Sequence, residues 1–392
     1  MSKRIKENLH STKNCIKMIE FLQDLLRIKS ISPKDMGCFD LIERELAQHD
    51  FKCERINYLN VENLYASYGD KGKLFCFLGH TDVVPSGPED KWKYPPFSAT
   101  IEDDILYGRG VADMKASVVA FVEAAKEFIL LSEGINFRLA ILLTSNEEGT
   151  SKDGFIDRII EKMMRDNEII DFCLVGEPTS SVKVADCARI GRRGSLGGHL
   201  KILGKQGHIA YPEKVINPIL QSGDLISKLN EKVWDNGNDA FDPTSFQISN
   251  INAGTGAHNV VPGELELTFN FRFSTESTEK SLKSQFKSIL DELKLNYELS
   301  WDLNGTPYYT EESFFKDVVC SSTKEVTGYI PELNAKGGTS DGRFVAKMDT
   351  EIIELGPVNS SIHQIDEHIK ISELWTLKDI YKNILVNLNQ AL

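Results

Sequence analysis

Three short, nearly continuous apolar runs constrain the fold of this 392-residue chain more than any other feature: LFCFL (74–78), RLAILLTS (138–145) and IIDFCLVG (169–176). Runs of this length and texture are those of strands buried on both faces of a sheet. Between and around them lie helical patterns at 14–28, 39–51 and 116–131 (ASVVAFVEAAKEFILL), and a further strand-like run at 61–68. Such alternation predicts an α/β domain with helices covering a central mixed sheet. Each of the three apolar runs is followed within a few residues by His, Asp or Glu: GHTD (79–82), NEE (146–148) and GEP (176–178).

The texture changes near residue 190, at GRRGSLGGHLKILGKQGH. A helical pattern at 217–233, strands in FQISNINAG and ELELTFNFRFS, and a helix at 278–293 give strand, helix, strand, strand, helix, strand. That order is a small ferredoxin-like α+β unit. It reads as an insertion over 192–302, with the first domain comprising 1–191 and 303–392. The resumed part holds helices at 312–327 and 372–391 and a glycine-rich turn at 337–342. This length exceeds what one core usually serves, so two domains is also the expectation from size.

Composition excludes several classes. The net charge is −13 without a long basic run, which argues against nucleic acid and anionic membrane as partners and says nothing against a small anionic substrate. No apolar run reaches the length of a membrane span. The N-terminal MSKRIKENLHSTKN is basic without a following apolar stretch, so no secretory leader is expected. Seven scattered cysteines without a C-x-x-C pair read as reduced thiols in a cytoplasmic protein.

The acids and histidines after the strands form one candidate set: His80, Asp82, Asp113 (in YGRGVADMKAS), Glu147, Glu148, Glu177 and His363 (in ELGPVNSSIHQIDEH). Taken singly, each has an ordinary explanation: a surface acid pair, a turn, or, for Asp113, a helix cap. Their recurrence at one edge points to a site, because α/β ligand sites form beyond the carboxyl ends of strands. Two imidazoles with carboxylates and no thiol suit a catalytic Zn²⁺ centre, with Co²⁺ or Mn²⁺ as substitutes. A bridging carboxylate plus one His and one carboxylate per ion uses five ligands, leaving two acids spare. Two ions a few ångströms apart acidify a water between them, and a spare carboxylate can take its proton. On composition alone His368 competes with His363.

GHTDVVP, GRGVADMKAS, TSNEEGT, VGEPTS, GRRGS, GKQGHIAYP, HNVVPGE, FNFR, GGTSDGRF and IHQIDE together resemble the M20 family of dinuclear zinc amidohydrolases, over residues 79–367. The resemblance implies a zinc-exopeptidase-like catalytic domain with an inserted dimerisation or lid domain, and two Zn²⁺ per subunit. His80, Asp113 and Glu177 would hold one ion, and Asp113, Glu148 and His363 the other, with Asp113 bridging. It selects His363 over His368 and implies a cis peptide after Asp113. Asp82 would accept a hydrogen bond from the His80 ring, and Glu147 would be the general base. His208, in GKQGH, would act across a homodimer interface as an oxyanion donor; by itself it reads as a surface histidine in a glycine-rich loop. GRRGS and GGTSDGRF resemble most the branch acting on N-succinyl-LL-2,6-diaminopimelate, whose three carboxylates call for guanidinium forks. Arg193, Arg272 and Arg343 are the candidates, with Tyr211, Asn259, Gly338, Thr339 and Ser340 as further substrate contacts. Other deacylases and peptidases of the family, such as those acting on acetylornithine, share the metal motifs. A non-enzymatic metal scaffold is disfavoured by retention of Glu147. Val111 and Ala116 stand where the family often has smaller residues.

Overall fold

The structure, a computed structural model, describes residues 16–149 and 155–392. The first two positions of the helix expected over 14–28 and Thr150 of TSNEEGT lie outside these. Contacts divide the chain into two units. One comprises the described residues up to Ile190, Thr310–Asn334 and Ser340–Leu392; the other comprises Gly191–Tyr309 with Ala335–Thr339. The division thus falls a few residues from the expected 191/192 and 302/303. The last long strand of the insertion runs to Gly305, and the short strand Tyr308–Tyr309 pairs back onto Gly191–Arg192, which keeps the chain in the second unit until Tyr309.

The first unit is built on an eight-stranded mixed sheet. Its order is Lys52–Arg55, Asn63–Tyr68, Arg138–Thr144, Leu74–His80, Phe172–Val175, Glu351–Glu354, Cys187–Arg189, Glu332–Asn334. The four middle strands, from Arg138–Thr144 to Glu351–Glu354, run parallel. Every residue of Leu74–His80 is buried, as expected for a strand covered on both faces. The sequence pattern suggests an end at Leu78. The strand runs two residues further because Gly79 and His80 stay paired with Leu143 and Thr144 of the parallel neighbour.

The helices that cover the sheet supply an aromatic core. Phe77 stacks on Phe121 of the helix Ala116–Leu131 at 4.3 Å between centroids, and both lie against Tyr381 of the helix Ile371–Ala391. The helix Cys38–Ala47 is opened by Asp35, whose buried carboxylate accepts the backbone N–H groups of Gly37 and Phe39.

The second unit is a four-stranded antiparallel sheet in the order Ser245–Ala253, Glu264–Phe273, Gly194–Leu203, Tyr297–Gly305, with helices Pro218–Glu231 and Glu279–Glu292. Numbered within the unit, the strand order 2-3-1-4 with a βαββαβ chain is the ferredoxin-like arrangement. Alternation explains its core: Leu265, Leu267, Phe269, Phe271 and Phe273 point to one face and meet Phe286 and Leu290 of the second helix. Asn217 caps the first helix through Ile219 N–H, and Thr278 with Ser281 forms a capping box on the second. Among the described residues, no helix is long and apolar enough to cross a membrane, and six cysteines are free thiols.

Candidate metal and catalytic site

Parallel register is what gathers the site. His80 lies opposite Thr144, and Leu78 opposite Val175, so three neighbouring strands end together. His80 is the last residue of its strand; Glu147 and Glu148 follow the second and Glu177 the third, all at the carboxyl edge. Asp113 sits in the irregular turn Val111–Lys115 that feeds the helix Ala116–Leu131, and the Asp113–Met114 peptide is cis. Two glycines let this turn lie close to the sheet. A Cβ at Gly79 or at Gly176 would stand 2.5 Å from the Met114 methyl carbon.

The side chains interlock around Asp113. Its Oδ1 lies 3.2 Å from His80 Nε2, and its Oδ2 lies 3.3 Å from His363 Nε2. Glu177 Oε1 is 3.7 Å from His80 Nε2, and Glu148 Oε1 is 2.6 Å from His363 Nε2. One carboxylate therefore faces two donor pairs, one on each oxygen. His80, Glu147 and Glu177 offer ligand atoms within 4.8 Å of one another, as do His80, Asp113 and Glu148. Two imidazoles and several carboxylates, held this close with no thiol, fit Zn²⁺ or a similar divalent ion.

Electrostatics say the same. Burial raises the Glu177 carboxyl well above its ordinary range, and the charges of Asp113 and Glu147 add to it. Burial, followed by the Asp341 charge, pushes Glu147 up to about 8. For Asp113 burial acts upward, but the hydrogen bonds from His363 and His80 outweigh it and hold the carboxyl below the usual range. Burial disfavours the His80 cation, yet Asp113, Asp82 and Glu177 raise its pKa well above normal. Hydrogen bonds to Asp113 and then Glu148 raise His363 to about 10. The cluster thus collects protons in place of cations, as crowded carboxylates must.

Residues 76–387 match the model of peptidase family M20/M25/M40. The chain is 47% identical to the succinyl-diaminopimelate desuccinylase of Methylococcus capsulatus over 94% of its own length and 98% of that protein's. It is 48% identical to the enzyme of the same name from Hydrogenovibrio crunogenus, with the same coverage. The chain belongs to the M20 family. A solved M20 metallo-carboxypeptidase from Sulfolobus solfataricus shares the fold, with a TM-score of 0.80 at 20% identity over 97% of this chain and 99% of that one.

Against the M20 expectations, Asp82 needs a correction. The His80 Nδ1 partner is the Asp82 backbone carbonyl at 2.9 Å, not its carboxylate, which lies 3.6 Å away. The ring nitrogen reaches the main chain at this two-residue spacing. The Asp82 carboxylate is turned instead to the backbone N–H groups of Glu147 and Glu148, each at 3.1 Å, and to the Ser32 hydroxyl. It fastens the loop that carries Glu147 and Glu148. Ser340 is fully buried, and its hydroxyl donates to Glu354 Oε1 at 2.5 Å.

The remaining residues expected to contact substrate are spread over both units. Arg343, in the first, has Nη1 on the Ser340 carbonyl at 3.0 Å and Nη2 3.6 Å from Asp341, while its buried Nε is without a hydrogen-bond partner. Arg193 and Arg272, in the second, are half-buried; burial and the Arg193 charge lower the Arg272 pKa. Gly338 and Thr339 lie in the 335–339 segment of the second unit. Exposed Asn259 gives its carbonyl to Ile209 N–H. Exposed His208 accepts the Ala210 N–H on Nδ1 at 3.1 Å and packs edge-on against Tyr211.

Sequence reasoning passed over Asp341, whose charge bears on Glu147, and the buried pair Arg109–Glu367. Both lie inside quoted motifs, GGTSDGRF, GRGVAD and IHQIDE. A charged residue set among apolar or glycine neighbours was the available signal, but sequence carries no trace of which partner it meets.

Proposed function

We propose that this chain is a zinc-dependent amidohydrolase that cleaves N-succinyl-LL-2,6-diaminopimelate to succinate and LL-2,6-diaminopimelate, in bacterial lysine and diaminopimelate biosynthesis in the cytoplasm. The observation that carries the reading is near-full-length identity of 47–48% to succinyl-diaminopimelate desuccinylases, together with the Asp113-centred donor cluster and Glu147 beside it. His80, Asp113 and Glu177 would hold one ion, and Asp113, Glu148 and His363 the other. When bound, such ions supply Lewis acidity toward the amide carbonyl and toward water.

The chain's own residues do the rest. Glu147 removes a proton from the attacking water and returns it to the leaving amine. His208 uses Nδ1 as an acceptor, so the neutral ring carries its hydrogen on Nε2, the arrangement a donor to a developing oxyanion needs. Arg193 and Arg272 provide one carboxylate subsite and Arg343 another, with Tyr211, Asn259, Gly338 and Thr339 around the substrate.

Assay of the zinc- or cobalt-loaded protein on succinyl-diaminopimelate, acetylornithine and a dipeptide tests the substrate. The succinylated compound should have the highest kcat/KM by at least about 10²-fold, since a site built for a carboxylate rejects substrates lacking it. Preference for either competitor would move the chain to another branch of the family.

The homodimer forms through the second unit, where Ile209, Tyr211, Ile216 and Leu220 are exposed apolar side chains. If His208 acts across that interface, mixing His208→Ala and Glu147→Gln subunits restores one complete site per mixed dimer. Random exchange of two inactive variants should then recover about a quarter of wild-type activity. No recovery in demonstrated heterodimers would place His208 in its own subunit's site.

A further inference from the structure

The turn that carries Asp113 and the loop that carries His363 are far apart in sequence, and besides the direct contact of the two side chains at 3.3 Å one buried carboxylate ties the loop to the backbone of the turn. Glu367 is fully buried four residues beyond His363. Its Oε1 accepts the backbone N–H groups of Ala112 at 3.0 Å and Asp113 at 3.2 Å. Its Oε2 accepts Gly110 N–H at 2.9 Å and Arg109 Nη1 at 2.8 Å. A carboxylate offers about four lone-pair sites, and all four are used.

Arg109 closes the other side. It is buried beneath Trp92, whose ring lies 5.1 Å from the guanidinium carbon, and its Nη2 reaches the His363 carbonyl at 3.4 Å. The Glu367 carbonyl accepts Gly108 N–H at 3.0 Å, and His368–Lys370 pairs with Ile105–Tyr107 as a strand. The Ser361 hydroxyl and His368 main chain close the loop between them by two hydrogen bonds. Apart from the Asp113 Oδ2–His363 Nε2 contact, these ties run through or beside Glu367.

We propose that Glu367 is a positioning residue that sets the spacing of Asp113 and His363, and with it the affinity of the ion those two share with Glu148. The inference rests on the two-ion reading above. A buried ion pair that served the fold alone would need only Arg109 opposite it. The three backbone donors, two of them on Asp113 and its immediate neighbour, are the part that positions a ligand. Glutamine is nearly isosteric but presents two N–H donors where the cradle needs acceptors, so the turn must shift.

Glu367→Gln should bind the ion at the Asp113–Glu148–His363 position about 10–100-fold more weakly, the usual effect of removing a group that orients a metal ligand. Competition with a chromophoric chelator and metal content after dialysis read this without any assay of activity. Because Glu367→Gln leaves Arg109 unpaired, the double variant Glu367→Gln/Arg109→Gln is measured beside it. It should regain melting temperature while the metal affinity stays low, and excess metal should restore kcat in both. Two ions held with wild-type affinity by either folded variant would overturn the proposal. Wild-type protein that binds fewer than two ions would instead sink the two-ion reading and the inference with it.

Discussion

Glu147→Gln should lower kcat by about 10²–10⁴-fold, the contribution typical of a positioned general base, while leaving two metal ions and KM nearly unchanged. The residue sits in the loop after Arg138–Thr144, where the Asp82 carboxylate holds its backbone N–H at 3.1 Å. Its position is therefore set by the main chain and survives the change of one side-chain atom. The proton affinity is what disappears. Burial and the Asp341 charge hold the carboxyl up to about 8 in the metal-free protein, so it takes a proton readily near neutral pH. Bound cations draw that value down, and the ionised form is the active one, so kcat/KM falls as pH drops through the Glu147 pKa. In the glutamine variant that acid limb should vanish along with the rate. Steady-state kinetics with parallel metal analysis check both points. More than about a tenth of wild-type kcat in the two-metal variant would move the base to another group, since general acid–base catalysis contributes more than that.

What the sequence disclosed follows from what local patterns can encode. LFCFL announces a strand buried on both faces, and acids recurring after such strands announce an edge. The structure brings His80, Asp113, Glu147, Glu148, Glu177 and His363 together at that edge. Alternation in ELELTFNFRF likewise announces the inner face of the second sheet. Atom-level partners are another matter. Two-residue spacing places Asp82 beside His80 but does not say whether carbonyl or carboxylate meets the ring, and here it is the carbonyl. Arg109 and Glu367 are 258 positions apart, and only the folded chain pairs them. Ser340 reads as a ligand contact in a glycine-rich turn; that its hydroxyl meets Glu354, a buried acid on a neighbouring strand, shows only in the folded chain. Buried polar groups are fixed by the need to satisfy one another, a constraint that no periodicity reports.

Removing the metals should make the protein less stable, and increasingly so as pH rises from about 6.5 to 10, the range between the ordinary His pKa and that of the folded group. The sign follows from each group. His80 and His363 have raised folded pKa values, His363 to about 10. Their stabilisation is complete below the unfolded value and is lost as pH rises through the folded one. Glu177 and Glu147 are also raised, Glu147 to about 8. They favour folding while protonated and oppose it once ionised, so they act in the same direction. Asp113 is lowered; its contribution is lost only in acid, outside this window. Metal binding has the opposite dependence, because it needs neutral imidazoles and ionised carboxylates and so expels the protons the empty cluster holds. Affinity should rise about tenfold per pH unit for each proton released, and about a hundredfold where two are. At a thousand-fold excess over Kd, bound metal adds about 4 kcal/mol to stability. Thermal melts at several pH values, with zinc and with chelator, should therefore diverge as pH rises. Calorimetric titrations in buffers of different ionisation enthalpy should report the released protons. A metal-free protein that gains stability between pH 6.5 and 9, or metal affinity indifferent to pH, would mean that these four groups do not carry the protons at the empty centre.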